Sequence, residues 1–268
     1  MKVILSRKGF DTSNGGIASP IFEDGTMLSF PIPSQDSNRF CELQYQGKSY
    51  AEILSDLHYK GEAFCHVDPD LELTRRVTLI DQWIPAFGQM DASATYLKNI
   101  GIKEGDLFLF FGNFHHVEQV NGHFKYVRKS GDFYKDKDIQ AIWGYLQIGK
   151  IIDDPLEQKL LWWHPHAREE RRANKTNVIF TSTERLSFDD SKPGAGVLRY
   201  DLKRVLTLEH SNKATWKKNT VYDLDHILCN RKNAAKDPET GIYYAGIWQE
   251  LGLVESETCD AWVKSILE

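Results

Sequence analysis

The chain has 268 residues, enough for one large domain or two small ones, with the 41% hydrophobic and 26% charged content of an ordinary globular protein. A net charge of −5 and a pI of about 6.0 exclude a protein held to nucleic acid by its overall field, though not one with a local basic patch. No apolar run reaches the ~18 residues of a membrane span, Arg7-Lys8 follows too short an apolar strand for a signal peptide, and Cys41, Cys65, Cys229 and Cys259 form no CxxC pair.

Those features lead to the expectation of a reduced, cytosolic protein without a zinc ribbon or a disulfide framework. In chain order, residues 2–5 read as a buried strand. It runs into a loop, Ser6 to Gly16, that mixes Arg7 and Lys8 with Asp11, three hydroxyls, an amide and three glycines. Glycine accepts positive φ and lets a backbone approach a ligand closely. The loop matches neither a phosphate-binding P-loop nor a dinucleotide-binding glycine motif. Residues 17–32 read as a loop and hairpin turning at Asp24-Gly25. Ser49 is placed to cap a helix over 50–59 that points Ile53, Leu54 and Leu57 to one face.

Residues 64–73 read as a strand that ends in a turn at Pro69, and 91–99 as a helix stopped by Gly101. A turn at Gly101–Asp106 feeds a strand over 107–112, a hairpin turns at Asn121-Gly122, and Phe124–Val127 returns. Residues 140–152 read as a long strand whose glycines predict bulges or a barrel bend. A short helix follows at 155–162. Strands are expected at Asn177–Thr181 and Val197–Tyr200, with a Pro193–Gly196 turn between them. A surface loop is expected over 229–242, and a closing helix at 256–267 with Ser256 as its cap.

Four groups of residues carry chemistry. In the first loop, Arg7 and Lys8 suit phosphate, Asp11 suits base catalysis, and Ser6 and Ser13 offer hydrogen bonds; local turns and an Arg7 ion pair are the structural alternative. In His66-Val67-Asp68-Pro69-Asp70, alternation on a strand brings His66 and Asp68 to one face, while Pro69 leaves the direction of Asp70 open. Such a pair suits acid–base work or a metal. His164 and His166 also alternate, and Trp162 and Trp163 before them suit stacking on a base. Finally, Arg168, Arg171, Arg172 and Lys175 form either a nucleic-acid patch or a solvated face paired with Glu169 and Glu170. Lys213, Lys217 and Lys218 around Trp216 admit the same two readings. His115 and His116 point to opposite faces and cannot share a site. Hydrolase elbow, HExxH and deaminase signatures are missing.

Several motifs together resemble a known family. They are Leu5-Ser6-Arg7-Lys8-Gly9-Phe10-Asp11, Ser19-Pro20-Ile21, Pro31-Ile32-Pro33, His66–Leu71, Gly105–Gly112, His164-Pro165-His166-Ala167, Pro193–Val197 and Leu206-Thr207-Leu208. The resemblance is to the third family of nucleotide-modification-associated domains, from residue 1 to about residue 250. It implies an association with phage and bacterial systems that make modified bases in DNA, and no particular reaction. The Gly-Asp-Leu strand and the later Gly-Tyr-Leu-Gln-Ile-Gly strand are similar to PUA-like barrels (the PUA, EVE and ASCH modules), which bind RNA or modified DNA bases.

The expected fold is therefore α+β, a strongly bent or barrel-like mixed sheet with peripheral helices. It forms one domain over 1–268, with a PUA-like core around 101–210. The expected partners are DNA or a nucleotide, and components of a modification system, with no membrane. One functional reading is hydrolysis of a phosphodiester or N-glycosidic linkage. Asp11, Asp68, Asp70, His164 and His166 would be catalytic, with no cofactor identified beyond the option of a divalent metal. Ser6, Arg7, Lys8, Ser13, Trp162, Trp163, Arg171 and Arg172 would hold nucleic acid. The alternatives are a non-catalytic reader with an aromatic pocket from Trp143, Tyr145, Trp162 or Trp163, and an interaction subunit of a modification or defence complex. Converging charged groups in one cleft favour the enzyme, an aromatic cage the reader, and an exposed apolar patch the interaction subunit.

Overall fold

In the computed structural model, Val3-Ile4-Leu5 is buried on both faces, as a continuous apolar run predicts for a central strand with a parallel neighbour. This strand, β1 (Val3–Arg7), is the second strand of a nine-stranded sheet. The structure describes residues 1–228, 235–236, 241–244 and 249–268. Cys229 and most of the surface loop expected over 229–242 lie outside the described residues.

The other strands that matter here are β2 (Ser19–Ile21), β3 (Ile32–Arg39), β4 (Phe64–His66), β5 (Ala86–Gln89), β6 (Leu107–Val120), β7 (His123–Tyr126), β8 (Ile139–Ile152), β9 (Val178–Ser182), β10 (Ala195–Val197) and β11 (Glu250–Leu253). The main sheet runs β11-β1-β6-β8-β9-β5, with β2 and β7 added to β6 and β10 added to β8. The β1–β6 and β2–β6 pairs are parallel, and the other pairs of this sheet are antiparallel. β3 and β4 form a separate antiparallel pair beside it.

The glycine-containing strand β8 carries bulges, one between Ile142 and Gly144 against β6 and one between Ile148 and Lys150 against β9. The bulges fall at the glycines that predicted them. β11 and β5 end the strand path unpaired with each other, so the sheet is not a closed barrel. The strand predicted at 197–200 is instead β10, two residues earlier, and it pairs with Gly144–Leu146.

Local chemistry accounts for the helices. Helix α1 (Tyr50–Asp56) begins at Ser49, whose side chain accepts from the Glu52 amide while Glu52 reaches back to the Ser49 amide. Helix α2 (Asp91–Asn99) ends before Gly101, which has a φ of 68°. Helix α3 (Glu257–Leu267) is capped by Ser256. The main core is aromatic, with Phe87 packed edge-on against Phe108 and Phe110 at 4.8 and 5.1 Å. A second core under α1 joins Phe10, Phe30, Phe40, Tyr50 and Ile53.

The first loop is held between these two cores. Gly9, Gly15 and Gly16 all have positive φ. At Gly15 the Phe10 ring occupies the space a Cβ would need, so the second core itself requires a glycine there.

Candidate functional site

Asp68 is the meeting point of three histidines. β4 ends at His66, and the Asp68 amide donates to the His66 carbonyl at 2.9 Å, so both side chains enter the space between β4 and β5. The Gly88 amide of β5 donates to Asp68 Oδ1 at 2.7 Å. Gly88 has a second use: a Cβ there would overlap the His166 ring. His166 sits in a helical turn, Pro165–Ala167, fastened by Asn177. Asn177 donates to the His166 carbonyl at 3.0 Å and accepts from His166 Nδ1 at 2.6 Å.

The resulting geometry is compact. His66 Nε2 and His166 Nε2 lie 3.6 and 3.8 Å from Asp68 Oδ2. His164 Nε2 lies 3.2 Å from Asp68 Oδ1 but off the line of a hydrogen bond. Behind His66, the Asp36 carboxylate accepts from Nδ1 at 2.5 Å. Arg168 and Arg171 approach Asp36 at 3.3 and 3.4 Å, and Ser34 donates to it. All five groups from Asp36 to His166 are buried.

Electrostatics follows from that packing. Burial raises the pKa of Asp36, but the bond and charge of His66 and the charge of Arg171 outweigh it and bring it down to about 2. Burial also works against ionised Asp68, yet the imidazoles of His164, His66 and His166 hold it well below the carboxylate range. For His66, burial disfavours the charge and Asp36 and Asp68 favour it, with a net rise. For His166, burial dominates, aided by repulsion from His164 and His66, and its pKa falls to about 3.

The histidines open onto a cavity of about 170 Å³ whose rim includes Arg7, Lys8, Asp11, Gln89 and Arg171. Each rim cation already faces a carboxylate: Arg7 is 3.5 Å from Asp11 and Lys8 is 3.4 Å from Glu250. Glu250 is fully buried at the start of β11 and accepts from Ser6 Oγ and Gln89 Nε2. Among the described residues its Oε2 has no hydrogen-bond partner.

The structure thus brings together His66, Asp68, His164, His166, Arg7, Lys8, Asp11 and Arg171, with Ser6 beneath them. Asp11 is half committed to its own turn, accepting from the Ser13 and Asn14 amides at 2.8 Å. Other expected residues go elsewhere. Asp70 leaves the cluster because Pro69 turns the chain, and it pairs with Arg76 at 2.7 Å and with Trp83 Nε1. Ser13 lines a separate surface hollow. Arg172 spends its guanidinium on the Ala167 and Pro155 carbonyls.

The aromatic residues of the reader alternative are placed as follows. Trp143, Tyr145 and Trp163 are buried in packed cores, and Trp162 is 69% exposed. Trp216 is core too, donating to Gln140, so the lysines around it do not frame an exposed ring. His115 and His116 do point apart, toward Asp138 and Tyr200 respectively.

Sequence reasoning missed Asp36, Gln89, Asn177 and Glu250. Glu250 left one trace, a carboxylate opening the apolar run Leu251–Val254. Asp36 sits in the polar run Ser34–Asn38, which carries no periodicity.

Among the described residues, His66, Asp68 and His166 offer ligand atoms within 4.8 Å of one another and could hold a metal ion. The family model for nucleotide modification associated domain 3 matches residues 2–250 of the chain. No curated protein and no solved structure matches it. No helix among the described residues is long and apolar enough to cross a membrane.

Proposed function

Because the chain belongs to the nucleotide modification associated domain 3 family, we propose that the Asp68 cavity engages a nucleotide, free or in DNA, and hydrolyses one of its linkages. The observation that carries this reading is the line Asp36–His66–Asp68, buried behind a cavity with Lys8 and Arg171 on its rim. Asp36 accepts the hydrogen bond of His66 Nδ1–H, which leaves Nε2 facing the cavity as the oriented atom of an acid–base pair. A water between His66 Nε2, Asp68 Oδ2 and His166 Nε2 is the nucleophile. It adds to phosphorus or to the anomeric carbon, and the P–O or C–N bond breaks. The proton it loses passes through the His66–Asp68 pair to the leaving group.

Size supports a small reacting group. The cavity of about 170 Å³ is well under the roughly 300–1,000 Å³ of a pocket that swallows a drug-sized ligand. It takes a phosphoryl, a sugar or one base, with the rest of the nucleotide outside, along Arg7 and Arg168. The reader alternative has less support, since Trp143 and Tyr145 are buried in one core cluster, Trp163 in another, and Trp162 is exposed. The interaction reading is favoured by one observation, the exposed Leu156, Leu160 and Trp162 on a single short segment.

The test is incubation of the protein with nucleotides and with plain and base-modified DNA, with and without added divalent metal. Released base, phosphate or cut strand is the expected product, reduced at least about 100-fold in Asp68→Asn, in keeping with the loss of an acid–base group. Binding without turnover, or equal turnover by the variant, overturns the hydrolytic reading.

A further inference from the structure

We infer that His66 Nε2, Asp68 Oδ2 and His166 Nε2 form a binding site for one divalent transition-metal ion, with its open coordination positions facing the cavity. The inference rests on the reading of this cavity as the functional site, names the cofactor class that the site takes, and replaces one part of that reading: with an ion held, His66 Nε2 would be a ligand rather than an acid–base atom, and the ion would supply the activation of a water at an open position.

The tautomers carry the argument. His66 Nδ1 faces the Asp36 carboxylate at 2.5 Å, and an ionised carboxylate only accepts, so the ring proton is on Nδ1. His166 Nδ1 faces Asn177 Oδ1 at 2.6 Å. The Asn177 amide nitrogen is already spent on Gln158 and the His166 carbonyl, so its oxygen is the acceptor and the proton is again on Nδ1. Both rings therefore aim an Nε2 lone pair at Asp68 Oδ2. His164 is the opposite case. Its Nδ1 accepts from the His166 amide at 3.2 Å, which puts its proton on Nε2, toward Asp68 Oδ1. The Gly88 amide satisfies Oδ1, and Oδ2 faces the two lone pairs.

Three acceptors meeting without a donor repel one another unless a cation or a proton lies between them. The spacings favour an ion. Two ligands about 2.1 Å from a shared tetrahedral ion stand about 3.4 Å apart, close to the 3.6 and 3.8 Å observed and longer than a hydrogen bond. Asp36 and Asn177 are the outer partners that metal-binding histidines ordinarily have, fixing tautomer and ring orientation. Two imidazoles and one carboxylate suit zinc, iron or manganese rather than calcium or magnesium, which prefer oxygen.

Charge gives a second, independent reason. Arg7, Lys8, Arg171, Asp11 and Asp68 line the cavity, and the ion pairs directly behind it add Arg168, Asp36 and Glu250, four cations against four carboxylates together. A phosphorylated ligand would meet a formally neutral pocket. A divalent ion makes it positive.

The experiment uses the full chain, stripped with chelator and titrated calorimetrically with Zn²⁺, and with Mg²⁺ and Ca²⁺ as controls. One Zn²⁺ per chain is expected, with binding at least about 100-fold weaker in Asp68→Asn and in His166→Gln. A drop of about 10-fold or more is expected in Asp36→Asn, which leaves all three ligands in place. His116→Gln, a histidine outside the site, should bind as wild type. Circular dichroism verifies that each variant is folded, and if the ligand variants are not, wild type and Asp36→Asn decide. No Zn²⁺ on the wild-type chain, or affinity unchanged in the folded variants, overturns the site. Zn²⁺ bound with no turnover of any substrate overturns the hydrolytic reading and leaves the metal site standing. Turnover by the metal-free protein does the reverse.

Discussion

At Gly88 two requirements of the site meet in one residue. Its amide holds Asp68 Oδ1, and its missing side chain leaves room for the His166 ring. Gly88→Ala should therefore cost about 1–3 kcal/mol, the usual range for overpacking, and should weaken Zn²⁺ binding along with stability. Denaturant titration and calorimetry on the same variant test both, and an unchanged affinity would show that His166 does not need its position. Asp36 makes the complementary case. It is buried and its charge balances His66, Arg168 and Arg171. Removing one partner of a buried pair leaves the others uncompensated and costs about 3–5 kcal/mol. Asp36→Ala should fall in that range by urea denaturation, and Asp36→Asn, which keeps the shape and an acceptor oxygen, should cost less.

Among the elements, β6 shows how alternation separates two neighbouring histidines with different consequences. His115 is bonded at both ring nitrogens, to Asp138 and to the Val127 carbonyl. His116 is buried against the edge of Tyr200, and its Nε2 has no hydrogen-bond partner among the described residues. Burial, then the charges of Lys135 and His115, push its pKa down from 6.5 to about 4. The unfolded chain therefore binds a proton between pH 6.5 and 4 that the folded chain refuses. In that window stability falls as pH falls, by about 1.4 kcal/mol per pH unit from this group. His116→Gln should shrink the loss of unfolding free energy between pH 7 and pH 5 by about 2 kcal/mol. Equal pH dependence in both proteins would show that His116 titrates normally. Helix α1 offers a simpler check on its capping box: Ser49→Ala should cost about 1 kcal/mol by the same measurement.

Across the whole molecule, the site is tied to the far end of the described chain. Glu250, at the start of β11, reaches across the sheet edge to Ser6 and Lys8 of the first loop and to Gln89 at the end of β5. Position 250 is also where the family match ends. Glu250→Ala leaves Lys8 without its carboxylate beside a buried surface, so a loss of several kcal/mol is expected. Glu250→Gln keeps a carbonyl acceptor for Ser6 and Gln89 and should be milder. If both variants lose the same stability, the charge on Glu250 is what the fold uses.

Much of the architecture was legible in the chain because it depends on neighbours a few residues apart. The buried first strand, the Ser49 and Ser256 caps, the α2 boundaries, the Asn121-Gly122 hairpin and the bulges of β8 follow from periodicity, capping chemistry and glycine conformations. His66 with Asp68, and His164 with His166, do meet, but not by strand alternation: Asp68 lies in the turn after β4, and His166 in a helical turn that His164 caps. Long-range placement was not legible. Whether the sheet closes into a barrel depends on which edges pair, and β11 and β5 touch through Gln89 and Glu250 without pairing as strands. Asp70 left the site because a turn redirected it to Arg76. Asp36, Asn177 and Glu250 entered it from strands and loops distant in sequence, through hydrogen bonds that no spacing encodes. Residue types and local spacing could name the acids and imidazoles, but ring tautomers and the direction of each lone pair exist only once burial has chosen every partner.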